Sequence, residues 1–186
     1  MQIRREMDMK NKTKIGTMAL LAIAVVPLLL DLDSPFTNSV TASASRVSWV
    51  GFDEGVKLSK ESGKKMLVDV YTDWCTWCKK MDSEVYTAPE VQSAIEKHFV
   101  AVKLNAESAK TLSYKGTKMT ETQFSRSAGV TGYPATLFMN ETHEPITIVP
   151  GFISSDRFAL ILRYVGEDHY KTTPFQNYLS ERGSTH

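Results

Sequence analysis

Met66-Leu67-Val68-Asp69-Val70-Tyr71-Thr72-Asp73-Trp74-Cys75-Thr76-Trp77-Cys78-Lys79-Lys80-Met81 reads as a buried strand running into a helix. Residues 66–72 are nearly all apolar, the pattern of a strand covered on both faces. Cys75 and Cys78, the only cysteines in 186 residues, stand where strand gives way to helix. Two cysteines at this spacing can close a disulfide with each other and reopen it. With the helix starting at Cys75, its thiolate faces unsatisfied backbone N–H groups and the positive end of the helix dipole. That lowers the thiol pKa and marks Cys75 as the nucleophile. Lys79 and Lys80 add positive potential one turn on. Cys78, one turn inside the helix, is expected to be more buried and to be the resolving thiol. It attacks the mixed disulfide formed at Cys75 and frees the substrate.

Other uses of the pair fit less well. A structural staple would close a very small loop and remove little unfolded-state entropy. A c-type haem site needs histidine directly after the second cysteine, where this chain has Lys79. A zinc site needs two further ligands. His98, His143, His169 and His186 are scattered without ligand spacing, each more simply a surface residue. A Cu(I) site lacks a methionine cluster beside the thiols. No metal and no organic cofactor is therefore expected.

Outward from the motif, residues 52–62 predict a short helix with Phe52, Val56 and Ser59 on one face, capped by Gly63. The helix after Cys75 is expected to reach Val85, with Trp77, Met81 and Val85 sharing a face. Thr87-Ala88-Pro89-Glu90 has the form of a capping box and opens a helix carrying Val91, Ile95 and Phe99 inward. Residues 100–104 predict a second buried strand, and 106–119 a polar loop. Thr120 to Gln123 repeats the capping pattern, ahead of Phe124 and Ala128. After the break at Gly132-Tyr133-Pro134, residues 135–139 and 146–149 read as an antiparallel hairpin about a turn at 140–144. Ser154 or Ser155 opens a last helix with Phe158, Leu162 and Val165 buried. Thr173-Pro174 can start one more turn, with Phe175, Tyr178 and Leu179 available to dock, before an end expected to be disordered. This order predicts an α/β sandwich: a mixed sheet, parallel at its centre and antiparallel at one edge, covered on both faces.

The N-terminus reads as a targeting segment. Arg4, Arg5, Lys10, Lys12 and Lys14 precede an apolar run over residues 15–30, and Ala42-Ser43-Ala44 supplies a small-residue cleavage pattern. The run falls short of the ~20 residues that span a bilayer, which favours cleavage after Ala44 over a retained anchor. Residues 1–44 are thus set apart as a signal peptide that exports the chain, and membrane contact is expected only if they stay attached. A net charge of +1 argues against a broad nucleic-acid surface.

Asp69 interrupts the apolar strand. A buried carboxylate is costly unless it is used or paired, and burial raises its pKa.

The stretch from Val68 to Lys79 resembles the active-site strand and turn of the thioredoxin superfamily. It is most similar to exported thioredoxin-like proteins, including the C-terminal domain of the membrane reductase that supplies electrons to the periplasm. The likeness runs over residues 49–165. Trp74 stands directly before the first cysteine, Tyr133-Pro134 fits the cis-proline loop, and Gly151 fits the glycine ahead of the last helix. The resemblance implies an α/β fold, the thioredoxin-like three-layer α/β/α sandwich with a mixed central sheet. The domain would cover residues 45–166, with 167–186 as a partly docked tail.

It also implies roles. Asp69 would lie beneath the resolving cysteine and assist its deprotonation, with Lys103 as its partner; the plainer reading is a structural ion pair. Pro134 would be cis and lie against the disulfide, with the backbone of Tyr133 free to pair with an extended substrate strand. Trp74 and Trp77 would contact substrate, although Trp77 can equally pack on its own domain. Asp73 is expected exposed beside the site.

The function implied is an exported thiol–disulfide oxidoreductase that reduces periplasmic protein disulfides, recharged by a membrane-embedded thiol reductase, and monomeric by family default. Two alternatives stay open at this point: a disulfide oxidant or isomerase, and a redox-inactive binding module or metallochaperone. Thr76-Trp77 replaces the common Gly-Pro between the cysteines, so the direction of electron flow does not carry over from thioredoxin itself.

Overall fold

The structure, a computed structural model, describes residues 46–183. The predicted targeting segment, His186 and the chain end lie outside these residues. Five strands form one sheet in the order β1-β3-β2-β6-β7: β1 (Trp49–Val50), β2 (Lys65–Tyr71), β3 (Phe99–Asn105), β6 (Ala135–Met139) and β7 (Pro145–Pro150). The first three are mutually parallel; β6 runs antiparallel to β2, and β7 antiparallel to β6. This is the mixed sheet expected, with β1 added at its edge.

Strand alternation sorts the core into two layers. Met66, Val68 and Val70 of β2 face a layer built on Phe52, Leu112 and Phe124. That layer comprises α1 (Phe52–Ser62), α4 (Glu121–Ser127) and β4 (Thr111–Tyr114). Leu67 faces the opposite layer, with Met81, Val85, Ile95, Phe158 and Leu162. These come from α2 (Thr76–Lys80) and its continuation, α3 (Pro89–His98) and α5 (Ser155–Gly166). Asp69, two residues from Leu67, points to this second side.

Several local expectations change. Residues 106–119 are not a plain loop: β4 pairs antiparallel with β5 (Thr117–Thr120). Leu112 and Tyr114 hold this hairpin down, Tyr114 against Phe52 and Phe124. A strand pattern with only two inward side chains is short enough to pass for loop. The hairpin also covers His143, which is buried rather than on the surface, and Tyr114 donates a hydrogen bond to the His143 carbonyl.

The Thr120–Gln123 capping box forms in both directions. The one at Thr87 does not: Ala88 is the N-cap and Thr87 donates to the Ser83 carbonyl instead. Pro89 takes the first helical position, where its missing N–H costs nothing, and so shifts the start by one residue. Ser154 caps α5 by position, without a side-chain bond to the backbone. The tail folds back through α6 (Phe175–Gly183), where Tyr178 is buried beside Tyr164.

On α1 the buried face is Phe52, Gly55 and Ser59, with Val56 only half-buried. Gly55 lets the helix approach the sheet: a Cβ there would stand 2.3 Å from Val102 Cγ2. Val102 is fully buried and has no room to yield. Gly55→Ala gains about 1 kcal/mol of helix propensity but overpacks the core at a cost of about 1–3 kcal/mol. The expected outcome is a lower urea midpoint at unchanged m-value.

Candidate active site

Cys75 is the N-cap of α2 rather than its first helical residue. Its Sγ accepts a hydrogen bond from the Cys78 backbone N–H at 3.1 Å, so the sulfur lies where the helix start offers free donors. The two cysteines are joined in a disulfide, and both are buried, Cys75 at 4% exposure and Cys78 at 3%. Burial does not distinguish the two cysteines in this oxidised form; they differ in position, Cys75 at the N-cap and Cys78 inside the helix.

After Lys80 the helix widens into a π turn over Met81–Val85. Met81 and Val85 enter the core, whereas Trp77 is 56% exposed and does not share their face. Trp77 lies on Phe152, with Lys80 over both rings. Lys80 also pairs with Glu84 at 3.2 Å. Trp74 is 64% exposed, yet fixed: its indole N–H reaches both carboxylate oxygens of Glu107 at 3.0 Å. The Tyr133 ring meets it edge-on at 6.1 Å. The Tyr133–Pro134 bond is cis, and the Pro134 carbonyl accepts from the Gly151 N–H at 2.8 Å. Gly151 is left-handed at φ 80°, which favours glycine there. Asp73 is exposed and accepts a bond from Asn105.

Asp69 and Lys103 are register partners across the parallel β2–β3 pair. Lys103 Nζ lies 2.5 Å from Asp69 Oδ2 and also bonds Asp82. Trp49, Tyr71 and Tyr86 surround the ammonium with ring faces, Trp49 at 4.6 Å. Burial pushes the Asp69 carboxyl above its ordinary value; Lys103 pulls it back and Asp82 adds to the rise. Burial works to lower Lys103, but Asp69 and Asp82 together hold its pKa above the usual lysine value.

The structure thus brings Asp69 with Lys103 and Trp74 with Tyr133, while Pro134 follows Tyr133 through the cis bond and is tied to Gly151. Asp82, Tyr86, Glu107 and Phe152 are residues the sequence reading missed. Asp82 alone left a usable signal: it stands four residues after Cys78, on the same helical face. Among the described residues no three His, Cys, Asp or Glu side chains gather as metal ligands.

Residues 52–166 match the thioredoxin-like domain family. The chain belongs to that family. It is 30% identical over 105 residues to the thiol:disulfide interchange protein DsbD of Haemophilus ducreyi, covering 55% of this chain and 17% of that protein. The DsbD of Vibrio cholerae is 25% identical over 165 residues, 80% of this chain and 26% of its own. The chain therefore spans only about a sixth to a quarter of the length of these curated relatives. Among solved structures, a thioredoxin-fold protein from Helicobacter pylori superposes with a TM-score of 0.60 at 18% identity, covering 78% of this chain and 97% of that one. The DsbH oxidoreductase gives 0.54 at 17%, covering 72% and 94%. These likenesses show the three-layer sandwich of the thioredoxin fold. The C-x-x-C pair at a helix start gives this thioredoxin-like chain the dithiol arrangement that thiol–disulfide exchange uses.

The raised Asp69 pKa carries a sign. An acid whose folded pKa exceeds its unfolded one favours folding when protonated, and that contribution is lost as pH rises through the folded value. Ionised Asp69 therefore costs stability at neutral pH, about 1.4 kcal/mol for each pH unit its pKa stands above the unfolded value. Asp69→Asn is expected to be more stable than wild type at pH 7. The gap should narrow toward pH 4, as read from urea midpoints at both pH values.

Proposed function

We propose that this protein is an exported reductase of protein disulfides. In the reduced form the Cys75 thiolate attacks a substrate disulfide. One S–S bond breaks, a mixed disulfide forms at Cys75, and one substrate sulfur leaves as thiolate. Cys78 gives its proton to the Asp69 carboxylate and attacks Cys75 Sγ. The Cys75–Cys78 disulfide closes and the second substrate thiolate leaves. Two electrons have passed to the substrate, and the protonated Asp69 returns its proton to solvent. Restoring the dithiol needs two electrons from a donor, for which a membrane-embedded thiol reductase fits an exported protein.

The observation that carries this reading is the Cys75 sulfur at the N-cap of α2, paired with Cys78 and flanked by exposed, fixed aromatics. Trp74 and Trp77 give a substrate segment two apolar walls. Tyr133, held ahead of the cis Pro134, offers backbone for an extended chain to pair with. Export is supported by the basic, then apolar, then small-residue pattern of the first 44 residues. Exchange of thiols and disulfides fits the naming of the curated relatives as thiol:disulfide interchange proteins.

Cys75→Ser is expected to abolish reduction of a model protein disulfide such as insulin. Cys78→Ser should accumulate a Cys75-linked mixed disulfide, visible by non-reducing electrophoresis. Equilibration with a thiol buffer should give a potential near that of thioredoxin, about −270 mV. A value near about −120 mV, that of a strong periplasmic oxidant, would reverse the direction of electron flow.

A further inference from the structure

Asp69 has two oxygens, and only one has a bonded partner. Oδ2 takes Lys103, while Oδ1 is buried with no hydrogen bond of good geometry. The Tyr86 hydroxyl is in the same position: buried and unbonded. Both residues gather at one ammonium: Lys103 Nζ lies 2.5 Å from Asp69 Oδ2 and 5.3 Å from the centre of the Tyr86 ring. The sheet register sets Asp69 between Lys103 on β3 and Thr136 on β6. Asp69 on one side and Thr136 on the other both influence the Tyr86 hydroxyl, Asp69 raising its pKa and Thr136 lowering it.

The placement of Tyr86 is built by the fold. The π turn closes with the Tyr86 N–H on the Met81 carbonyl at 3.0 Å, which swings residue 86 under the sheet. Its ring is then locked edge-on by Trp49 at 4.8 Å and Phe158 at 5.7 Å. Burial lifts the Tyr86 pKa well above the ordinary phenol value, so the hydroxyl keeps its proton and can serve as a donor. Two unpaired buried polar atoms are each costly, and here each supplies what the other lacks.

We propose that Tyr86 is a positioning residue for the dithiol chemistry: its hydroxyl donates to Asp69 Oδ1 and, with Lys103 on Oδ2, clamps the carboxylate from both sides. The role rests on the thiol-exchange reading above, in which Asp69 must be ionised to take the proton of Cys78. Burial drives Asp69 toward its protonated form, in which it can accept nothing. Lys103 opposes this but divides its charge between Asp69 and Asp82. Tyr86 is the second donor that keeps the acceptor open. The titratable groups facing Asp69 are Lys103 from β3, Asp82 and Tyr86 from the π turn, and Tyr71 from its own strand.

The test is the titration of Asp69 by carboxyl carbon NMR, in the full chain with its disulfide closed. Tyr86→Phe keeps the ring and deletes only the hydroxyl. Asp69 is expected to titrate about one pH unit higher in this variant, the effect of losing one hydrogen bond to a charged group. In the wild type, the Tyr86 ring carbon bearing the hydroxyl should shift with the same midpoint as Asp69, a readout that needs no variant. An unchanged Asp69 titration in Tyr86→Phe, or a Tyr86 signal blind to Asp69 ionisation, overturns the proposal. So does a variant that only loses stability. Neither readout needs turnover. A moved Asp69 in a protein that reduces no disulfide would support Tyr86 and sink the reductase reading. Turnover with an unmoved Asp69 would do the reverse.

Discussion

Asp69 is a carboxylate in the middle of a strand that the sheet and two helical layers seal from water. Leaving it unpaired there would cost several kcal/mol, and the surroundings are arranged around that fact. The parallel register of β2 on β3 sets Lys103 beside it. The ammonium in turn needs cover, which Trp49, Tyr71 and Tyr86 supply as ring faces. Even the two-residue strand β1 has a place in this: pairing Trp49 with Ala101 of β3 brings the indole over Lys103. The result is a carboxylate that burial pushes upward in pKa and Lys103 pulls back.

The chemistry stands at the other end of the same strand. After Tyr71 the chain turns, Cys75 N-caps α2, and the disulfide closes against the helix start. Strand, turn and helix are continuous, so the dithiol and the carboxylate are placed by one rigid unit. The aromatic flanks are fixed as well. Glu107 holds Trp74 and Phe152 carries Trp77. An exposed tryptophan that cannot swing loses little entropy when a partner covers it.

The π turn is the feature on which the two halves depend. Had the helix continued in α form through Val85, residues 82 and 86 would meet the sheet at different angles. The wider turn delivers Asp82 to Lys103 and Tyr86 to Asp69 within one short segment. The sequence over Met81–Val85 holds no glycine or proline to announce such a turn, and widened turns of this kind often mark functional sites.

Much of this was legible in the chain itself, for local reasons. The cysteine spacing, the apolar run before it, the inward faces of α3 and α5, and the Thr120–Gln123 cap all depend on neighbours a few residues apart. Asp69 betrayed itself as the one charge within an apolar run. What escaped was non-local. Burial of His143 required knowing that the β4–β5 hairpin folds across it, and the shifted start of α3 required weighing Pro89 against a tempting cap. Asp82, Tyr86 and Glu107 are ordinary residues in sequence; a π turn, a strand register and a loop crossing bring them to the site. The sequence by itself determined which residues carry reactive chemistry, because that is written in residue type and spacing. Only the tertiary structure decided which side chains tune them, because a buried charge takes its pKa from whatever the fold packs against it.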